Sequence, residues 1–276
     1  MRNPIDWKIG GGKVMHIDRT YIMGILNVTP DSFSDGGLFA AASAAVAHAH
    51  QMLEQGADII DIGGQSTRPG HTPISPEEEW SRIQPVLSEL CGKVSAPISV
   101  DTYYPEVAQR AAELGVEIFN DVTGFCDPLM RKYAAKYGVG CIVMHDIQLD
   151  ENADACAELL DFYKLRTAEC IADGIAPECI CLDPGIGFGK SYEQNLQIAA
   201  QFERQCLDGY TMLAAASRKR VVGMSCGNPP FDQRCSGTIA IHTACILGGA
   251  HIIRVHDVPE AVQAAQVADA ILTQMK

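Results

Sequence analysis

Eight short apolar, β-branched runs recur along the chain, at 21–28, 58–62, 97–100, 116–119, 139–144, 179–182, 210–216 and 250–255. Each is nearly continuous in apolar residues, as expected of parallel strands buried on both faces. Each ends in a polar residue and gives way, after Gly or Pro, to a stretch of helical character. Those stretches lie at 40–55, 76–90, 105–114, 152–173, 192–206, 237–247 and 259–274, with a shorter one at 128–136. They carry Ala, Leu, Glu and Gln at mixed helical spacing. Ser75-Pro76 and Asp127-Pro128 place a capping residue before Pro at the first helical position. Eight β–α units in 276 residues predict an α/β chain. The expected architecture is a single-domain (β/α)8 TIM barrel, typically about 250 residues long. The barrel is expected over 20–276, with 1–19 as a cap segment or hairpin over one end. A doubly wound sheet would show a Gly-rich fingerprint after its first strand, and here that position reads Asn27-Val28-Thr29-Pro30-Asp31.

Apolar residues make up 47% of the chain and charged residues 20%, which suits a buried core. The 21 basic residues against 34 acidic ones, a net charge of -13, argue against nucleic acid as a partner. A small anion in a local basic pocket remains compatible. The eleven cysteines form no CxxC pair. Cys179 and Cys181 are expected on one strand face, without further ligands at zinc spacing. An odd count, with Cys141, Cys170 and Cys245 in apolar segments, reads as free buried thiols in a reducing compartment. Residues 1–13 hold no apolar signal core, and no run of eighteen apolar residues occurs. A soluble, cytoplasmic protein with no membrane partner is expected.

The chemistry falls at the strand ends. In order these are Asn27, Asp61, Asp101, Asn120-Asp121, His145-Asp146, Asp183, Ser217-Arg218-Lys219-Arg220, and Arg254 with His256-Asp257. In a barrel all of them meet at one mouth, where barrel enzymes place their active sites. Single strand-end Asp and Asn residues commonly just cap the next helix. Capping does not call for Lys219, Arg254 and His256 beside buried strands, where cations need partners. Asp101, Asn120 and Asp183 suit a flat heterocycle with several N–H donors and a carbonyl. Arg68, Arg254, His256 and Lys219 suit phosphate or carboxylate oxygens. The loops 29–37 and 63–70 read equally as water-excluding lids or as ordinary turns. The Gly-rich stretch 183–190 lacks P-loop spacing and reads as a tight strand-to-helix turn. Glu77, Glu78 and Glu79 read as a solvated first helical turn. His48 and His50, two apart on a helix, face away from each other.

These residues fall into ordered motifs. Ile25-Leu26-Asn27-Val28-Thr29-Pro30-Asp31-Ser32-Phe33-Ser34-Asp35-Gly36-Gly37 resembles the first signature of the dihydropteroate synthases, and Ser66-Thr67-Arg68-Pro69-Gly70 the second. Ser99-Val100-Asp101-Thr102, Ile118-Phe119-Asn120-Asp121, Asp183-Pro184-Gly185-Ile186-Gly187-Phe188-Gly189-Lys190, Ser217-Arg218-Lys219 and Arg254-Val255-His256-Asp257-Val258 follow in the family's order. The resemblance implies condensation of 6-hydroxymethyl-7,8-dihydropterin pyrophosphate with p-aminobenzoate, giving dihydropteroate and pyrophosphate in folate biosynthesis. It implies a pterin site of Asp101, Asn120, Asp183 and Lys219. Thr67, Arg68, Arg254 and His256 match the pyrophosphate site, and Asn27 the ligand of a Mg2+ ion. Phe33, Pro69, Phe188 and Lys219 match positions bordering the p-aminobenzoate pocket. Asp101, Asp183, Lys219 and Arg254 are the catalytic candidates. A homodimer through outer helices near the C-terminal end is also implied, and the Ala-rich 237–247 suits such a face.

Three departures mark this chain. Arg220 stands where the family's Ser helps bind the p-aminobenzoate carboxylate. Gln65 stands where Glu commonly precedes Ser-Thr-Arg-Pro-Gly. The stretch Met144-His145-Asp146-Ile147-Gln148-Leu149-Asp150 lacks the usual Gly and Pro. They leave open a repurposed homologue that binds the pterin pyrophosphate with another acceptor or none. A pterin-dependent methyltransferase is the more distant alternative, since it needs neither Ser-Thr-Arg-Pro-Gly nor the Arg254/His256 pair.

Overall fold

The computed structural model describes residues 4–29, 37–65 and 72–275. It begins with an antiparallel hairpin of β1 (Ile5–Lys8) and β2 (Val14–Ile17). The alternating units follow: β3 (Tyr21–Asn27), α1 (Gly37–Glu54), β4 (Ile59–Gly63), α2 (Pro76–Leu90), β5 (Ile98–Asp101), α3 (Pro105–Glu113), β6 (Ile118–Asp121) and α4 (Pro128–Tyr137). Next come β7 (Gly140–Met144), α5 (Ala155–Ala172), β8 (Ile180–Asp183), α6 (Tyr192–Ala200), β9 (Thr211–Ala214), α7 (Arg220–Ser225), α8 (Cys235–Leu247), β10 (Ile252–Val255) and α9 (Val258–Leu272). Strands β3 to β10 close into a barrel, each paired in parallel with its neighbours, and β10 returns to β3. This is the expected eight-stranded architecture.

Two hydrophobic layers result from the strand alternation. One side chain from most strands points inward, among them Met23, Ile59, Ile118, Ile142, Cys181 and Ile252. Their neighbours along each strand, such as Ile60, Phe119, Val143 and Leu182, point outward against the helices. Both faces are therefore apolar, which is why the strands read as continuous runs. The hairpin closes the N-terminal end of this inner layer. Trp7, Ile9 and Ile17 are buried in it, and Trp7 Nε1 donates to Cys179 O at 2.8 Å just ahead of β8. Gly10 lies so close to Glu117 that a Cβ would meet its Cα at 2.9 Å.

Helix starts follow their capping signals. Ser75 Oγ accepts from Glu78 N at 3.1 Å, and Asp127 Oδ1 from Leu129 N at 2.7 Å. Several expectations need correction. Helix α5 starts at Ala155, not 152, because Asp154 is its cap and accepts from Cys156 N. The stretch 192–206 is two elements, since α6 ends at Ala200 and a 3-10 turn, Phe202–Gln205, carries Phe202 into the core. A short helix, α7, precedes α8 where no helix was expected. Cys179 and Cys181 do not share a face. Cys179 belongs to a 3-10 turn and packs in the outer layer, while Cys181 lines the lumen. All eleven cysteines are free. No helix among the described residues is long and apolar enough to cross a membrane.

Candidate active site

The strand alternation that builds the apolar inner layer also places the polar one above it. Two residues beyond Ile59, Ser99, Ile118, Cys181 and Ile252 stand Asp61, Asp101, Asn120, Asp183 and Arg254. Register sets Asp101 beside Asn120, and Gly63 beside Asp101. The C-terminal half of the lumen is thus walled by three carboxylates, an amide and a guanidinium.

Arg254 is the hub of this layer. Its Nε donates to Asp61 Oδ2 and its Nη2 to Asp101 Oδ2, both at 2.6 Å. Asn120 Nδ2 donates to the same Asp61 oxygen at 2.9 Å. The other oxygens, Asp61 Oδ1 and Asp101 Oδ1, are buried without a partner among the described residues. An unpaired buried acceptor costs about 1–3 kcal/mol, so these two are acceptors that a ligand's N–H groups can satisfy. Burial pushes the Asp101 carboxyl up, against the pull of Arg254. For Arg254, burial is outweighed by Asp61 and Asp101, which hold its charge in place. The resemblance matches Arg254 to the pyrophosphate site and makes it a catalytic candidate. Here two of its nitrogens serve the carboxylates, which leaves Nη1 as the nitrogen outside those bonds.

Asp183 accepts from Gly185 N at 2.8 Å through Oδ1, and burial raises its pKa against the charge of Lys219. Lys219 Nζ donates to Ile186 O at 2.6 Å and stands 4.5 Å from the centre of the Phe188 ring. Burial lowers Lys219 to about 8, opposed by Asp183. Ser217 lies 2.9 Å from His256 Nδ1 and accepts from His256 N, while Phe231 meets the imidazole edge-on. Arg220 is exposed at the start of α7 and has no ion pair with another described residue. Asn27 is half-buried at the end of β3. Phe33, Thr67, Arg68 and Pro69 lie outside the described residues.

Some strand-end residues serve the fold instead. Asp121 accepts from Thr123 N, Thr123 Oγ1 and Phe125 N, and so shapes its own loop. Asp257 is held by the Arg218 guanidinium. Asp61 and His145, which the sequence places at strand ends without assigning them a role, and Lys190, read only as part of the Gly-rich turn, prove central. Asp61 completes the Arg254 hub. Lys190, half-buried, and His145, buried, form a pair between the β7 and β8 loops.

Glu79 also differs from expectation: it is fully buried, not solvated. Its Oε2 accepts from Thr102 Oγ1 at 2.7 Å, and Gln65 Nε2 faces its Oε1 at 3.4 Å. Burial raises Glu79 to about 7. A second carboxylate at position 65 would repel it, so the amide of Gln65 is compatible with this contact.

The unusual stretch after β7 is accounted for by its neighbour. His145 N donates to Asp183 O at 3.0 Å, and Leu149 N to Gly189 O at 2.8 Å. The glycines that this close pairing needs are supplied by the β8 loop. A Cβ on Gly185, at φ +62°, would fall 2.0 Å from His145 O. Gly185→Ala is therefore expected to destabilise the protein by about 3 kcal/mol or more. Urea denaturation measures this, and a loss under about 1 kcal/mol would contradict the close approach.

The fold and this layer define a barrel enzyme whose lumen offers both hydrogen-bond acceptors and fixed cations at the strand ends. A family model of pterin binding enzymes matches residues 23–256, so the chain belongs to the pterin-binding enzymes. A dihydropteroate synthase from Clostridium beijerinckii is 45% identical over 271 residues, covering 96% of this chain and 99% of the relative. A dihydropteroate synthase structure from Clostridium difficile, determined in the presence of pteroic acid, is 44% identical with a TM-score of 0.88, covering 92% of this chain and 97% of the other. The Xanthomonas albilineans enzyme with 4-aminobenzoic acid is 39% identical with a TM-score of 0.90, covering 100% of both chains. Within its family this chain is an enzyme of the dihydropteroate synthase type.

Proposed function

We infer that the protein condenses 6-hydroxymethyl-7,8-dihydropterin pyrophosphate with p-aminobenzoate to give 7,8-dihydropteroate and pyrophosphate, and so acts in folate biosynthesis. The observation that carries the reading is the Asp61–Arg254–Asp101 hub, with two carboxylate oxygens unpartnered among the described residues, beside Asn120, Asp183 and Lys219. Similarity to a synthase over nearly the whole chain favours this reading over a repurposed homologue or a methyltransferase.

The proposed roles follow from charge. Asp101, Asn120 and Asp183 hold the pterin ring, whose N–H groups meet acceptors and whose carbonyl meets the Asn120 amide or the Lys219 ammonium. The bond between the pterin methylene and the pyrophosphate oxygen breaks with its electrons on the oxygen. Arg254, His256, Thr67 and Arg68 stabilise the departing anion, while the carboxylates of Asp101 and Asp183 stabilise the positive charge left on the methylene. The arylamine nitrogen then forms the new C–N bond and loses a proton. Phe33, Pro69, Phe188 and Lys219 border the acceptor's ring, and Arg220 pairs with its carboxylate. No side-chain nucleophile is required.

Mg2+ is the ion proposed here, with Asn27 as its protein ligand. A half-buried amide oxygen at a strand end fits a hard cation that takes most of its ligands from substrate phosphates and water. Bound there, the ion would neutralise pyrophosphate charge. One group among the described residues, Cys235, Asp257 and Glu260, brings its ligand atoms within 4.8 Å of one another. Its thiol and the Arg218–Asp257 pair suit Mg2+ less well. A homodimer is proposed through α8 and α9, where exposed Ala240 and Ala244 accompany exposed Val267 and Ile271.

The test is pyrophosphate release from the pterin pyrophosphate with Mg2+, with and without p-aminobenzoate, identifying the pterin product. Dihydropteroate that forms only with p-aminobenzoate supports the reading. Tight pterin pyrophosphate binding without such a product would overturn it.

A further inference from the structure

Lys190 is a half-buried loop lysine for which the reaction described above has no use. Its Nζ lies 3.0 Å from His145 O, 2.9 Å from Phe188 O, 3.3 Å from Gly185 O and 3.0 Å from His145 Nδ1. It makes no ion pair with a carboxylate among the described residues. An ammonium partly removed from water commonly takes a carboxylate partner. Three carbonyl dipoles and an imidazole nitrogen take that place here. The imidazole is an acceptor because burial holds His145 neutral, lowered to about 3.

The four acceptors belong to two loops that touch. His145 follows β7, and Gly185 and Phe188 follow β8. These backbones approach so closely that a Cβ on Gly189 would fall 2.3 Å from Ile147 O. Beyond them, Lys219 bonds Ile186 O and lies over the Phe188 ring. The same short turn therefore places both Phe188 and Lys219, and Lys190 holds that turn from behind.

We propose that Lys190 is a positioning residue for the arylamine acceptor: by clamping the Gly185, Phe188 and His145 carbonyls it fixes the turn that carries Phe188 and that accepts the Lys219 hydrogen bond at Ile186 O. This rests on the reading that Phe188 borders the acceptor pocket. An ammonium brings three N–H donors to these four acceptors, and a neutral amine has two. Burial lowers Lys190 to about 7. The charged groups around it are Asp146 on the β7 loop, Asp183 on β8 and Lys219 beyond β9. His145 stays neutral across the working range. As pH rises through about 7 the clamp loses its proton, and the acceptor's KM rises with it.

The experiment uses the full-length protein with Lys190→Met and Lys190→Gln. KM for p-aminobenzoate, kcat, and Kd for the pterin pyrophosphate with Mg2+ by calorimetry are measured from pH 6 to 9. Lys190→Met is expected to raise the acceptor's KM by about tenfold or more, as a displaced pocket wall does. Pterin pyrophosphate Kd should stay within about twofold, and the rise in acceptor KM near pH 7 should disappear. If Lys190→Met does not fold, Lys190→Gln, with two donors left, should show the same split at smaller size. An unchanged acceptor KM, or equal weakening of both substrates, would overturn the proposal. Wild-type protein that makes no dihydropteroate would overturn instead the functional reading on which it rests.

Discussion

Replacing Lys219 by alanine is expected to lower kcat/KM by about a hundred- to a thousandfold, the usual effect of removing one preorganised charge from a reacting site. The expectation comes from the lysine's setting. Its ammonium is held by Ile186 O, stands over the Phe188 ring and faces Asp183. It is thus the proposed link between the pterin and the acceptor. Stability should change little. Burial lowers Lys219 to about 8, so the folded state disfavours its charge, and removing it relieves that penalty while depriving Asp183 of a neighbour. A midpoint within a few degrees of wild type, with activity nearly gone, is the expected pair of results. The pH profile supplies a second check. A lysine titrating near 8 loses its charge as pH rises through that value, so wild-type kcat/KM should fall above it. The residual activity of Lys219→Ala should lack that limb. A tenfold or smaller loss of activity would remove Lys219 from the proposed machinery.

The barrel was legible because both faces of each strand are apolar, and the mouth was legible because each strand ends in a polar residue. Capping chemistry hid part of it. Asp61, like Asp121, reads as a helix-capping aspartate, yet the lumen alternation that puts Ile59 inside puts Asp61 inside too. Glu79 was misread for a different reason. Three consecutive glutamates look solvated, but Glu79, Ile83, Val86, Leu87 and Leu90 share the buried face of α2. The helical period could therefore have found Glu79. Lys190 left no such trace. Its partners are mostly backbone carbonyls, which every residue carries, so only the folded loops reveal the contact. The same holds for the stretch after β7, whose missing glycines are supplied by a loop some forty positions further on.

Replacing Arg254 by alanine should damage the fold as well as the reaction, in contrast to Lys219. It would leave Asp61 and Asp101 side by side in the lumen without the cation that bridges them. Breaking a buried pair by removing one partner costs about 3–5 kcal/mol, so a loss of about 3 kcal/mol is expected near pH 8. The loss should depend on pH with a definite sign. Burial already raises the Asp101 carboxyl above its unfolded value, and removing Arg254 removes the main force pulling it down. A carboxyl raised in this way binds its proton in the folded state where the unfolded chain has released it. Its effect is therefore to lower stability as pH rises from about 4 through the folded pKa. In Arg254→Ala that window extends upward, so the deficit against wild type should be small near pH 5 and grow toward pH 8. Asp101→Asn added to Arg254→Ala removes one of the stranded charges and should recover part of the stability, a positive coupling that urea denaturation of the four proteins can measure. Activity should not return in the double variant, because the leaving pyrophosphate still lacks its guanidinium and the pterin one of its carboxylates. A pH-independent loss, or simple additivity of the two substitutions, would mean that the hub is not the electrostatic unit its 2.6 Å contacts describe.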